Sequence, residues 1–227
     1  MTDPAAPASL PVSRAQRSTM QDHVYRQLCD LILDGEIAPG QSITIQTLAD
    51  AFGVSAMPVR EALQRLTAAR VLTVVAGRTI GIPRLTNARL DDLRRVRLEV
   101  ETLAGRWATP NVDARCLQSL DTLIREMDEA ARTGERKTYV RLNRSFHFTI
   151  YGAAGSEALL AIIENLWLQI SPYFHLLHAS GNYLRANEQH GRICAALRNR
   201  DADSVSAGLR TDIDAAYQIF RGLLRDA

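Results

Sequence analysis

Between Thr44 and Gly81 the sequence carries two short helical periods divided by one glycine, and then changes period. Leu48, Ala49 and Phe52 share a face of a first short helix, which Thr44 can cap and Gly53 ends. Ser55 caps a second helix, about Ala56 to Ala69, with Pro58 tolerated in its first turn because the missing N–H would be unpaired there anyway. Val59, Ala62, Leu63 and Leu66 recur at helical spacing on its inner face, leaving Ala56, Met57, Arg60, Glu61 and Gln64 on the other. LTVV and TIGI follow as two β-branched runs around Ala76-Gly77-Arg78, which reads as a hairpin. Upstream, Val24, Leu28, Leu31 and Ile32 form one stripe of a helix that Gly35 ends. Three helices and a hairpin make a winged helix-turn-helix over residues 19–84.

After Thr86 no strand-like alternation returns. Helices are expected at roughly 86–108, 112–133, 136–152, 156–180, 183–199 and 202–225, with breaks at Pro110, Gly134, Gly152 to Gly155, Gly181 and Asp201. Pro172 is expected to kink the fourth of them. The fold class is therefore mainly α: a winged helix-turn-helix, then an all-α antiparallel helical bundle over residues 86–227. Residues 1–18, rich in Pro, Ala and Ser, read as a flexible arm.

The net charge of +2 hides an asymmetry, since residues 56–84 hold five arginines against Glu61 alone. A small basic surface on a nearly neutral chain suits nucleic acid, and a solvated arginine face would look similar. No apolar run reaches the ~18 residues of a membrane span, and the N-terminus lacks a signal-peptide pattern, so a cytoplasmic protein with no membrane partner is expected. Cys29, Cys116 and Cys194 are odd in number and widely spaced, which argues for reduced thiols.

In a helix-turn-helix the second helix enters the major groove and its first residues reach base edges. Arg60 is the long donor near that start, able to take a guanine edge or a phosphate, and Gln64 follows one turn later. Ser55 offers a phosphate contact, Met57 an apolar contact with a thymine methyl, and Arg78 a contact from the hairpin tip. The competing reading pairs Arg60 with Glu61 or Asp50 on the surface.

The run GEIAPGQSITIQTLADAFGVSAMPVREALQRLTAARVLTVVAGRTIGI resembles the DNA-binding domain of the GntR family of bacterial transcription regulators. The G-x-x-x-P-G turn, L-A-x-x-x-G-V-S and P-V-R-E-A-L carry the likeness across nearly all of residues 20–84. The resemblance assigns DNA contacts to Arg60 and Gly77. It also exposes a departure, because the family commonly places an arginine after the serine, where this chain has Ala56. A different half-site or weaker specific binding is expected.

The second half is similar to the FCD ligand-binding domain of the FadR-type subfamily, on V-R-L-E-V-E, L-N-R-S-F-H, E-Q-H and A-L-R-x-R-D-A-D. That resemblance implies a divalent metal (Zn, Ni, Fe or Mn) held by Asn143, His147, His190 and Asp212, the last standing where the family more often has histidine. Residues four apart share a helix face, so Asn143 and His147 can converge on one ion. One carboxylate in the set leaves a divalent ion with net +1, suited to an anionic effector. The alternative is a pair of hydrogen-bonded core groups beside a polar cavity. Cys194, four residues after His190, is either a substitute ligand or a small packed hydrophobe. Arg97 and Glu101 either face the same cavity, Arg97 then binding the effector carboxylate, or form a surface ion pair; Tyr151 and Trp167 either line the pocket, Tyr151 then touching the effector, or pack in the core as aromatics at helical spacing usually do.

Together these readings imply a homodimeric, nucleoid-associated regulator of a pseudo-palindromic DNA operator responding to an organic acid, with repression relieved by the ligand as the commoner mode and activation as the other. The rival from another class is a helical metalloenzyme using two histidines and a carboxylate.

Overall fold

The computed structural model describes residues 20–76, 79–180 and 183–224. The arm, Gly77, Arg78 and the side chains of His175 and His178 lie outside the described residues.

The first three helices are α1 (Met20–Leu33), α2 (Ile45–Phe52) and α3 (Ala56–Ala68). Val24, Leu28 and Ile32 of α1 and Val59, Ala62, Leu63 and Leu66 of α3 are buried together, the stripes that the periodicity marks. Thr44 caps α2 by accepting from the Thr47 amide, and Gly53 ends it in the left-handed region at φ 63°. Ser55 holds the N-cap backbone position of α3, but its hydroxyl accepts no capping hydrogen bond, contrary to expectation. Strands β1 (Thr73–Ala76) and β2 (Thr79–Gly81) pair antiparallel, and Ile43 extends the wing by exchanging backbone hydrogen bonds with Ile80.

The second half contains α4 (Asn87–Ala108), α5 (Ala114–Thr133), α6 (Arg136–Ala153), α7 (Glu157–Ile170), a 3-10 segment (Ser171–Ser180), α8 (Tyr183–Arg198) and α9 (Ala202–Leu223). Packing runs in a ring, α4 on α9, α9 on α8, α8 on α5, α5 on α6 and α6 back to α4, with α7 against α4. Gly105 and Gly208 set the tightest approaches: a Cβ on Gly105 would overlap Leu209, and one on Gly208 would overlap Ile193. Side chains of Thr86, Asp113, Ser156 and Asp201 cap α4, α5, α7 and α9.

One element departs from the expected plan. Pro172 does not kink a helix over 156–180; α7 stops at Ile170 and a 3-10 segment follows. Proline offers no N–H to the Leu168 carbonyl and its ring crowds that carbonyl, so the α-helical ladder cannot continue through it. The tighter turn takes over, and Tyr173 donates its hydroxyl proton to the Pro83 carbonyl at the end of the wing.

Candidate metal centre

Helix α6 presents Val140, Asn143 and His147 along one face, and all three line a cavity of about 50 Å³. Arg97, Trp167, Phe174, Leu177, Asp212 and Ala216 complete its principal walls. His147 and His190 are buried, and Asp212 keeps 17% of its side chain exposed. His147 Nε2 lies 3.3 Å from Asp212 Oδ2, and His190 Nε2 lies 3.6 Å from Asp212 Oδ1. Two donors each ~2.1 Å from one tetrahedral ion stand ~3.4 Å apart, so these spacings suit a shared cation.

Hydrogen bonds behind the rings decide what each histidine offers. Asn187 donates Nδ2–H to Asp128 at 2.7 Å, so its carbonyl oxygen must face His190 Nδ1, 3.2 Å away. That oxygen can only accept, which puts the proton on Nδ1 and a lone pair on Nε2. Burial pushes the His190 pKa down to about 4, keeping the ring neutral near pH 7. Tyr151 donates to Glu101 Oε2 at 2.5 Å, and burial followed by the Glu101 charge raises its pKa well above the usual phenol value. Its oxygen is thus left to accept from His147 Nδ1 at 3.2 Å, which directs the His147 Nε2 lone pair toward Asp212.

Burial pushes the Asp212 carboxyl up, but the hydrogen bond and charge of His147, with His190 and Arg97, outweigh it and hold the group below the usual carboxylate value. With both rings neutral and protonated on Nδ1, two imidazole lone pairs and a carboxylate converge. A proton on His147 could bridge to Asp212, yet His190 Nε2 would still be buried without a hydrogen-bond partner. The residues present fit a divalent cation better than they fit one another.

Several expected residues stand elsewhere. Tyr151 does not line the cavity; its hydroxyl is used up between Glu101 and His147. Arg97 does line it, but its partner is Glu101 in a buried pair, with Nε 2.5 Å from Oε1, and a surface pairing is excluded. Cys194 lies outside the His147, His190 and Asp212 group, and burial pushes its thiol up to about 12, so it is a packed small side chain. Asn143 is half-buried at the cavity wall. Sequence reasoning missed Asn187, although its place three residues before His190 puts both on one helix face. It also missed Asp128, 59 positions from Asn187, for which no local pattern exists.

On the other domain, Arg60, Met57 and Gln64 are exposed along one side of α3. Arg60 forms no ion pair among the described residues, and Asp50 instead accepts from Gln46 at 2.8 Å. Arg65 is committed to Asp22 and stacks over Tyr25, so it is not part of that free basic surface.

A winged helix joined to a helical bundle with a small cavity among its helices defines a DNA-binding transcription regulator. The chain belongs to the GntR family of bacterial regulatory proteins, in the group that carries an FCD domain: residues 20–82 match the former and 92–215 the latter. It is 31% identical over 172 residues to the HTH-type transcriptional regulator McbR of Escherichia coli K12, covering 74% of this chain and 78% of McbR. It is 25% identical to the HTH-type transcriptional repressor RspR of the same organism, over 91% of both chains. The solved structure of E. coli McbR/YncC superposes with a TM-score of 0.80 at 27% identity, covering 92% of this chain and 99% of that one. Its families and relatives are transcription regulators rather than enzymes, which removes the metalloenzyme reading. Among the described residues no helix is long and apolar enough to cross a membrane.

Proposed function

We propose that this regulator is a homodimeric, metal-dependent sensor of a small organic acid that represses transcription from a pseudo-palindromic operator and releases it when the acid binds. A repressor mode agrees with the description of RspR. Such a protein works in the cytoplasm, on the nucleoid.

The observation that carries the sensing reading is His190 Nε2, buried, without a hydrogen-bond partner, and turned by Asn187 toward Asp212. His147, His190 and Asp212 would hold the cation, with Asn143 from the cavity wall. Once bound, a Zn, Ni, Fe or Mn ion supplies positive charge and open coordination positions for a carboxylate. Arg97 adds a second cation to the cavity wall, and Phe174, Leu177 and Ala216 offer an apolar wall for the remainder of the acid. Metal analysis of the purified protein, with a thermal-shift screen of organic acids before and after chelation, tests this. One divalent ion per chain and acid-dependent stabilisation that chelation abolishes are expected; a protein that takes up no divalent metal overturns the reading.

On DNA, α3 enters the major groove with Arg60 toward a guanine edge or phosphate, Met57 against a thymine methyl, Gln64 one turn on and Ser55 on a phosphate. The Ser55 hydroxyl is spared from capping, which leaves it available. Gly77 and Arg78 would act from the wing. Ala56 sits at the start of α3 with no donor to give. Since a good bidentate pair is worth about 1–3 kcal/mol, Ala56→Arg is expected to tighten binding roughly 5- to 150-fold and shift half-site preference. Selection from random duplexes followed by anisotropy titration reads both; unchanged affinity and preference would refute the missing contact.

Dimerisation is assigned to α4. Val96, Leu103 and Trp107 are exposed, Trp107 by 46%, and with half-buried Val100 they repeat at i, i+4, i+7 and i+11. An apolar stripe of that period suits a like helix from a second copy. Leu103→Glu combined with Trp107→Glu is expected to give a monomer by light scattering, and a double variant that stays dimeric places the interface elsewhere.

A further inference from the structure

We propose that Arg144 is the positioning residue that transmits occupancy of the His147, His190 and Asp212 site to the DNA-reading domain; this rests on reading that site as a metal centre. Helix α6 carries both functions on neighbouring faces. Val140, Asn143 and His147 face the cavity, whereas Lys137 and Arg144, seven residues apart and so on one stripe, reach the winged helix. One arm of the Arg144 guanidinium lies 3.3 Å from Asp30 Oδ1 and the other 3.2 Å from Asp34 Oδ1. Arg144 and Asp34 are each only 23% exposed. Lys137 adds a more exposed pair with Glu36 at 2.6 Å.

The acceptors belong to the last turn of α1 and the chain just after it, where the helix dipole also favours a cation. The guanidinium donates one hydrogen bond to Asp30 and keeps its other arm in charge contact with Asp34, a planar arrangement that a lysine's single point charge cannot reproduce. Apolar packing joins α1 to α7 and the 3-10 segment, but between α1 and α6 the ion pairs supply the restraint. Tyr25 and Leu33 on α1 face Phe148 on α6 and Leu168 on α7 across an open cleft of about 710 Å³. Asn143 and Arg144 are consecutive in one rigid helix, so drawing Asn143 and His147 toward a bound ion turns Arg144 against Asp30 and Asp34.

The test uses the full-length protein, Zn(II) alone as the probe, and a labelled duplex selected by the wild type from a random pool. Zn(II) affinity is read by competition with a chelating dye, and DNA affinity by anisotropy with and without Zn(II). Wild-type DNA affinity is expected to change at least about fivefold on saturation with Zn(II). Arg144→Gln, and independently Asp30→Asn with Asp34→Asn, are expected to bind Zn(II) as the wild type does while that change shrinks below about twofold. Arg144→Lys should fall between. A merely structural role would lower thermal stability and both affinities together and leave the ratio intact. If Arg144→Gln keeps the full Zn(II) response, or the wild type binds Zn(II) with no change in DNA affinity, the transmission role is overturned while the metal reading stands. A wild-type protein that binds no Zn(II) overturns both.

Discussion

Replacing Glu101 by alanine is expected to destabilise the protein by about 3–5 kcal/mol, the cost of leaving a buried cation without its partner. Arg97 is 7% exposed and Glu101 fully buried, and two contacts join them, 2.5 Å from Nε to Oε1 and 3.3 Å from the second nitrogen to Oε2. Alanine removes both, together with the acceptor that fixes the Tyr151 hydroxyl. The pair itself need not be strongly stabilising, because desolvating two charges consumes much of their attraction. Hence Glu101→Leu combined with Arg97→Met should recover most of the loss. Urea denaturation followed by circular dichroism would measure it. A single variant costing less than about 1 kcal/mol would mean that water reaches Arg97 and the pair is not closed as described.

The second large effect is expected at His190. Its alanine variant should lose more divalent-metal affinity than the roughly 10- to 100-fold that outer-shell partners contribute, and Asn187→Ala should lose an amount within that range. The ordering follows from geometry: His190 supplies a lone pair directly, whereas Asn187 only fixes which nitrogen bears the proton. Tyr151→Phe should resemble Asn187→Ala, since it leaves His147 Nδ1 without its acceptor. Chelator competition on the three variants and the wild type gives the order. Retention of wild-type affinity by His190→Ala would remove that residue from the centre.

The legible parts of this protein are those set by short-range rules. The stripes on α1 and α3, the cap at Thr44 and the left-handed Gly53 follow from residue type and spacing alone. The convergence of His147, His190 and Asp212 was legible only through resemblance, because 43 residues separate the two histidines and nothing local brings α6 to α8. The state of Arg97 and Glu101 was not legible. Their spacing is the same for a solvated pair and a buried one, and only the burial supplied by α6 and α7 decides between them. The place of Tyr151, in the cavity or in the core, is hidden for a related reason: helical spacing gives the face but not which atom another side chain has already claimed.

The 3-10 segment bears on how tightly this protein can hold anything. Its ten residues span ~20 Å where an α-helix would span ~15 Å, and residues three apart eclipse, which sets Phe174 above Leu177 as a single-layered wall. The space behind that wall is small, about 50 Å³. An organic acid of the kind proposed above would need that wall displaced, so the receptive conformation would be a minor one. Its measured dissociation constant is the intrinsic one divided by the fraction of molecules with the wall displaced. Substitutions at Phe174 or Leu177 that raise this fraction would strengthen apparent binding without adding a contact, so sensitivity can be tuned apart from chemical selectivity.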